Sequence, residues 1–474
     1  MISGDPTRLR QTLLSLLENA LKKTDEGEIL LGVALESSKS GKPRLRISVQ
    51  DSGESLSDEE RDELLHAELH SRNFLASSRL GGHLGLVIAR QLIILMDGEF
   101  GIQNSGTPGN TLWLNLPLGV IGVIVPWNYP LFLAIGPLIG ALAAGNRVML
   151  KLSESTPATG ALLKRLLANV FPEDLVAVVL GEAETGMAFS RLPFDHLLFT
   201  GATSIGKHVM RAAAENLTPV TLELGGKSPA IVSQDVPLQD AAERIAFGKT
   251  LNAGQTCIAP DYVLVPKDRL TGFVNAYTAA VKRFYPTLID NPDYTAIINH
   301  RQLLRLNHYL EDAANKGAKI ITLYEQGQDR RMPFSVLLDV SDDMLVMQDE
   351  IFGPLLPVVP YDRIEDAYAY INQRPRPLAL YYFGYDKAEQ RQVLERTHSG
   401  GVSINDTLMH AAQDDLPFGG VGPSGMGNYH GREGFLTFSQ AKAVFTKQRL
   451  NAARLIYPPY GKAIQRLIYK LFMR

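Results

Sequence analysis

The sequence predicts an α/β protein of more than one domain. Three observations predict it. Short apolar runs of strand length alternate with longer stretches of helical periodicity. A glycine pair, Gly201-x-x-x-x-Gly206, follows one such run and opens a helix, which is a dinucleotide-binding arrangement in variant form. The patterning also changes character near Leu118, so the chain reads as two pieces. At 474 residues the length accommodates about three domains.

The first piece opens with Asp5-Pro6-Thr7, a helix cap followed by proline at the first helical position. Leu9, Leu13, Leu16, Leu17, Ala20 and Leu21 then recur at helical spacing. Ile29 to Leu35 and Leu45 to Val49 read as strands, Leu84 to Met96 as a second helix, and Thr111 to Leu116 as a closing strand. In the second piece, Leu118 to Asn146 carries no charge and imitates a membrane span, but Pro126 and Pro130 divide it. The division leaves a strand (Val120 to Val125), a loop and a helix ending near Gly145. Arg147 to Leu150, Leu197 to Thr200 and Val220 to Leu222 are further strands.

Composition narrows the functional classes. Hydrophobic residues make up 45% and charged residues 20%, and the net charge is -3. That balance gives no reason to expect nucleic acid as a partner. The first 25 residues form a charged, polar helical pattern unlike a signal peptide. The single cysteine, Cys257, has no intrachain partner and points to a reducing, cytoplasmic setting. By itself it reads either as a small buried hydrophobe or as a nucleophile. Likewise Glu223 alone reads as a solvated carboxylate at a strand end, and Asn128 as a residue capping loop backbone. No cluster of His, Cys or Asp has metal-ligand spacing, so no catalytic metal is expected.

Motifs at both ends carry resemblances. Gly4-Asp-Pro-Thr-Arg-Leu-Arg-Gln11, Glu18-Asn19-Ala20, Asp51-Ser-Gly53 and Gly81-Gly-His-Leu-Gly85-Leu-Val-Ile-Ala-Arg90 resemble the ATP-binding domain of sensor histidine kinases. The resemblance implies a partial α/β-sandwich domain over residues 1–118, with Asn19 at the Mg²⁺ position and Asp51 and Gly53 at the adenine position. Ser15, Ser55 and a short glycine lid containing His83 depart from that pattern, and no acceptor-histidine helix is present. Kinase activity is not expected. Weak ATP/Mg²⁺ binding and an inert folded remnant are the two readings left.

From Pro117 on, seven motifs stand in the order of the aldehyde dehydrogenase superfamily. They include Pro117-Leu-Gly-Val-Ile-Gly-Val-Ile-Val-Pro-Trp-Asn-Tyr-Pro130, Leu150-Lys151-Leu-Ser-Glu154, Phe199-Thr-Gly201-Ala-Thr-Ser-Ile-Gly206 and Leu222-Glu223-Leu-Gly-Gly-Lys-Ser-Pro229. Gly254-Gln-Thr-Cys257, Glu350-Ile-Phe-Gly-Pro354 and Leu416-Pro-Phe-Gly-Gly-Val-Gly-Pro-Ser-Gly-Met-Gly427 complete the series. Tyr262 after Cys-Ile-Ala-Pro-Asp261, with the basic tail, looks most like the class-3 branch and the coniferyl aldehyde dehydrogenases. The implied organisation is a Rossmann-type cofactor domain at 119–222, a catalytic α/β domain at 223–428 and an oligomerisation segment with a tail at 429–474. The family's usual N-terminal part is replaced by the ATPase-like piece, so the chain reads as a fusion.

The chemistry such a family performs explains the residue types. Hydride can leave an aldehyde carbon only after that carbon becomes tetrahedral, which a thiolate achieves by forming a thiohemiacetal. Cys257 is the available thiol. The resulting thioester needs a water activated by a carboxylate, the role the resemblance gives Glu223. The oxyanion needs a donor aimed at it, the role it gives Asn128 with the backbone N–H of the cysteine. For NAD or NADP it implies Lys151 and Glu154 at the adenosine ribose, Gly201, Ser204 and Gly206 at the pyrophosphate turn, and Glu350 and Phe352 at the nicotinamide ribose. Pro126 and Trp127 are further contacts. The expected substrate is an aromatic or hydrophobic aldehyde such as coniferyl aldehyde, and a homodimer is expected. The competing reading is a nucleotide-binding signalling fragment fused to an inactive dehydrogenase remnant.

The tail is separate. Ile464, Leu467, Ile468, Leu471 and Phe472 make one helical stripe, and Lys462, Arg466, Lys470 and Arg474 another. Such a helix either touches an anionic membrane surface, placing the enzyme at the periphery of the inner membrane, or packs on the protein or a second subunit.

Overall fold

The computed structural model describes residues 6–24, 27–37, 43–53, 56–66, 99–104, 110–116, 119–439 (except 326 and 328) and 457–472 (except 459), with the helical positions 86, 89, 90 and 93. Within them the chain forms three sheets.

The first sheet belongs to the N-terminal piece. After a helix at Pro6–Lys23 come β1 (Ile29–Ser37) and β2 (Pro43–Asp51), a helix at Asp58–His66, then β3 (Glu99–Asn104) and β4 (Asn110–Leu116). All pairs are antiparallel, in the order β1-β2-β4-β3. The long first helix buries Leu16 and Ala20 against Ile47 and Val49 of β2, the stripe expected from the leucine spacing. Most of the expected helix Leu84 to Met96 and the glycine lid fall outside the described residues, as does Ser55. Leu86, Ala89 and Ile93 are helical and join the same core.

The second sheet contains β5 (Val120–Ile124), β6 (Arg147–Lys151), β7 (Val176–Val179), β8 (His196–Gly201) and β9 (Val220–Leu224). Their order is β9-β8-β5-β6-β7, all parallel. The strands are rich in Val, Ile and Leu because helices cover both faces. The uncharged stretch resolves into β5, a turn through Pro126 to Tyr129 and a helix at Phe132–Ala143. Among the described residues no helix is long and apolar enough to cross a membrane. The chain leaves β5 toward β6 and β7, then returns to β8 on the other side. The strand order therefore reverses between β5 and β8, and a crevice opens beyond their carboxyl ends.

The third sheet contains β10 (Pro229–Val232), β11 (Tyr262–Pro266), β12 (Lys319–Thr322), β13 (Ser335–Leu338), β14 (Leu355–Tyr361), β15 (Ala379–Phe383) and β16 (Gly401–Ile404). Its order is β12-β13-β14-β11-β10-β15-β16, parallel except for β12. The segments entering β10, β11, β14 and β15 carry Lys227, Cys257, Glu350 and Arg376 respectively. A last short strand, β17 (Gly425–Met426), returns to pair antiparallel with β9, setting Gly425 opposite Glu223. One continuous core joins the second and third sheets.

Candidate active site

The crevice at the carboxyl ends of β5 and β8 continues into a cleft of ≈ 960 Å³ facing the amino ends of the third sheet. Pro126, Trp127, Asn128, Gly201, Ser204, Glu223, Cys257, Glu350 and Phe352 all line it. The sequence scattered these nine over more than two hundred positions, and the fold brings them together.

Cys257 ends a tightly turned loop. Asn252, Ala253 and Gly254 are all left-handed, at φ 52, 53 and 76. Non-glycine residues rarely adopt that conformation, so the surrounding bonds must enforce it. They do. Gln255 is buried; its amide nitrogen donates to the Asn252 carbonyl (3.1 Å) and the Ala296 carbonyl (3.2 Å), and its oxygen accepts from Ile298 N–H (2.9 Å). The Asn252 side chain donates to the carbonyls of Asn128 and Gln255, each at 3.2 Å. Tyr129 and Thr256 share a hydroxyl contact of 2.7 Å. The Cys257 loop is thus held by hydrogen bonds on several sides.

Glu223 sits within β9 and is almost wholly buried. Its Oε1 lies 3.3 Å from the Cys257 sulfur, which donates to it. Its Oε2 accepts from Thr200 Oγ1 (2.9 Å) and from the Tyr429 hydroxyl (3.1 Å). Burial raises the Glu223 pKa, and the three donors oppose that rise. The Cys257 thiol is pushed well above its usual range, first by burial and then by the Glu223 charge. The resting contact is therefore a thiol donating to Glu223, with the acceptor for its proton already in place.

Asn128 Nδ2 donates to the Gln255 carbonyl at 3.2 Å. It does cap loop backbone, and that bond aims the amide at the cysteine segment while leaving its second N–H for another acceptor.

The remaining expected residues take distinct places. Gly206 is buried on the inner side of the helix Thr203–Ala214, where a Cβ would lie 2.6 Å from Leu224. Lys151, the last residue of β6, and Glu154, just beyond it, lie outside the cleft lining. The Lys151 ammonium donates to the Leu152 carbonyl (2.7 Å) and stands 3.8 Å from Glu154, which is 40% exposed. In the N-terminal piece, Asn19 and Asp51 are both buried, and Asn19 Nδ2 and Asp51 Oδ2 have no hydrogen-bond partner. Asp51 Oδ1 accepts from Gly53 N–H at 3.1 Å.

The residues present suit a nicotinamide dinucleotide. The helix Thr203–Ala214 starts at the cleft with no side-chain cap on its first-turn N–H groups, which leaves donors for an anion. A Cβ on Gly225 would fall 1.9 Å from the Glu350 carboxylate, so that slot exists because position 225 has no side chain. Glu350 Oε1 is buried without a donor, as an acceptor awaiting hydroxyls would be. Burial, then the charge of Asp261, pushes the Glu350 pKa to about 8. Trp127 and Phe352 meet edge-on, centroids 5.4 Å apart, beside it.

The sequence reading missed several functional neighbours. Thr200 and Tyr429 hold Glu223. Lys249, one helical segment before Cys257, has a fully buried ammonium without a hydrogen bond, and desolvation lowers its pKa to about 8. A lone lysine on an otherwise apolar helix face was the available signal. Lys227 is clamped by Asp261 and by the carbonyls of Val346 (2.8 Å) and Asp349 (3.0 Å). Arg305 donates to the carbonyls of Glu350 (3.2 Å) and Ile351 (2.7 Å), fixing the Glu350 segment.

Comparison with known proteins agrees with this geometry. The aldehyde dehydrogenase family model matches residues 88–444. The model for histidine kinase-, DNA gyrase B- and HSP90-like ATPases matches residues 4–120. A probable coniferyl aldehyde dehydrogenase of Pseudomonas aeruginosa is 76% identical over 358 residues, covering 76% of this chain and 75% of that protein. The coniferyl aldehyde dehydrogenase of a Pseudomonas species is 53% identical, covering 74% and 75%. Among solved structures, substrate-bound Staphylococcus aureus AldH superposes with a TM-score of 0.70 at 40% identity, covering 80% of this chain and 79% of that one. A Mycobacterium tuberculosis aldehyde dehydrogenase complexed with NAD+ gives 0.64 at 27% identity, covering 95% and 80%. The chain belongs to the aldehyde dehydrogenase family. Its reaction is the NAD(P)-dependent oxidation of an aldehyde, and residues 4–120 form an ATPase-like segment ahead of that enzyme.

Proposed function

We propose that this enzyme oxidises an aromatic, hydrophobic aldehyde of the coniferyl type to its acid, with Cys257 as nucleophile, Glu223 as general base and Asn128 as oxyanion donor. The 3.3 Å contact between the thiol and Glu223 carries the reading, and the 76% identical relative supports the substrate class.

Glu223 Oε1 takes the thiol proton and passes it to solvent. The sulfur attacks the carbonyl carbon, and the carbonyl π pair moves to the oxygen, which accepts from Asn128 Nδ2 and the Cys257 N–H. Bound NAD or NADP would supply the hydride acceptor, with Glu350 and Phe352 the residues that would hold its nicotinamide end. The carbonyl re-forms as a thioester on Cys257. Glu223, again ionised, takes a proton from water, whose oxygen attacks the thioester carbon. The C–S bond breaks, and the acid leaves with the thiolate restored. Glu154 near the adenosine ribose favours the free 2′-hydroxyl of NAD, since a carboxylate repels a 2′-phosphate.

Purified enzyme with coniferyl aldehyde and NAD or NADP tests this by reduced-cofactor absorbance. Cys257→Ala abolishes the signal. Glu223→Gln slows the burst of reduced cofactor and loses steady turnover. Oxidation of short aliphatic aldehydes alone would overturn the substrate class. Glu154→Gln raises the NADP/NAD ratio of kcat/KM.

The unpartnered Asn19 Nδ2 and Asp51 Oδ2 support a second, weak site for ATP with Mg²⁺ in the N-terminal segment. Titration calorimetry with ATP tests it; no heat in wild type identifies an inert segment. The helix Ala463–Phe472 exposes Ile464 and Leu467 beside Lys462, Arg466 and Lys470, which supports contact with an anionic membrane surface. Co-sedimentation with phosphatidylglycerol vesicles tests it, and sedimentation velocity without lipid tests the proposed homodimer.

A further inference from the structure

We propose that Tyr429 is a positioning residue of the reaction, whose hydroxyl pins one oxygen of Glu223 so that only the other faces the sulfur and, later, the hydrolytic water. The proposal rests on the general-base reading of Glu223.

The two carboxylate oxygens are not equivalent. Oε2 accepts from both Thr200 and Tyr429, while Oε1 accepts only from Cys257. Once the sulfur is acylated it no longer donates, and Oε1 becomes the one oxygen without a donor. A water in the cleft finds its acceptor there, beside the thioester carbon. Rotation of the carboxylate about its last torsion would break both Oε2 bonds, so the pair fixes which oxygen does the chemistry.

Tyr429 is built for that purpose. It is buried, and its backbone exchanges two hydrogen bonds with Phe418 (3.0 and 2.8 Å). Its ring meets Phe418 and His430 edge-on, with centroids 5.9 and 4.5 Å away. It follows β17, which pairs directly with the strand carrying Glu223. Unlike Thr200, it does not line the cleft, so it acts on the reaction only through the carboxylate. Burial raises the Glu223 pKa and these donors lower it. Loss of one donor to the charged form must raise it further.

The test is Tyr429→Phe in the full chain, with coniferyl aldehyde and NAD. The acid limb of the kcat profile moves up by about one pH unit, as loss of one charge-assisted hydrogen bond implies. Deacylation slows by about tenfold, and the burst of reduced cofactor, which draws on the same Glu223 oxygen, slows but keeps its amplitude. Adding Tyr429→Phe to Glu223→Gln has no further effect on deacylation, which a merely structural role would not produce. A wild-type pH profile and deacylation rate in folded Tyr429→Phe would overturn the proposal, folding being checked by an unchanged NAD-induced shift in Tm. An effect persisting in the double variant would overturn it too. If instead Glu223→Gln itself turns over normally, the general-base reading falls first.

Discussion

At the scale of single residues, the site is a set of charged or ionisable groups whose burial sets their proton affinities. Glu350 is the clearest case, because it titrates near working pH. Its pKa, pushed to about 8 by burial and by Asp261, leaves much of it protonated at pH 7. A ribose diol donates best to the ionised form. The cofactor should therefore bind more tightly as pH rises from 7 to 9, and the KM for NAD should fall across that window. Glu350→Gln should raise that KM and flatten its pH dependence, and KM measured at half-unit intervals decides the matter. Which residues would converge was legible in the sequence, since Cys257, Glu223, Asn128 and Glu350 each stand in a motif. Their partners were not. Thr200 holds Glu223 from the neighbouring strand, Tyr429 from the segment after β17, and Lys249 is buried on a helix, and nothing local marks them apart from an isolated polar group among apolar ones.

At the scale of elements, the strands β5, β6, β8 and β9 were legible because apolar runs bounded by Gly, Pro and charged residues allow few alternatives. The loop leading into Cys257 was not. Nothing in Asn252-Ala-Gly254 announces three successive left-handed residues, a conformation imposed by Gln255, Asn252 and the packing of Gly353. Gly254 is the position that cannot yield. It combines φ 76 with a space in which a Cβ would lie 2.3 Å from the Gly353 carbonyl oxygen. Gly254→Ala costs about 1 kcal/mol for the left-handed conformation alone and displaces the sulfur from Glu223. A shift near 1 Å lowers kcat by about 100-fold, while NAD affinity, set mainly by β5, β8 and the Glu350 segment, is retained. Rate and fluorescence titration on one preparation separate the two. Elsewhere, half-buried His196 and buried His410 couple the elements to pH. His196 bonds Thr221 Oγ1 (2.8 Å) under Phe438, and His410 bonds Ser403 (2.8 Å). Burial lowers both from 6.5 to about 4. Between those values the unfolded chain binds more protons than the folded one, so stability falls as pH drops from 6.5 to 4, by at most about 3 kcal/mol per histidine. Urea midpoints at pH 7 and 5 should show it, and His410→Gln should reduce the difference.

At the scale of the whole molecule, the two pieces foreseen near Leu118 correspond to separate cores. One core holds Leu16 through Ile102 and shares no buried residue with those that begin at Ile121. Every residue lining the catalytic cleft comes after the seam. Yet the two family matches overlap over 88–120, and only three residues separate β4 from β5, so a short connection joins cores that, among the described residues, have no buried residue in common. Independent cores unfold as independent cooperative units. Scanning calorimetry of the full chain should give two transitions, with the N-terminal segment, whose core is far smaller, melting first. NAD at a hundredfold excess over its Kd adds about 2.7 kcal/mol to the unit that binds it. It should move the larger transition upward and leave the smaller in place. ATP with Mg²⁺ should do the reverse if Asn19 and Asp51 hold it. A single transition that NAD displaces as a whole would show instead that the ATPase-like segment has become part of the dehydrogenase's own structure.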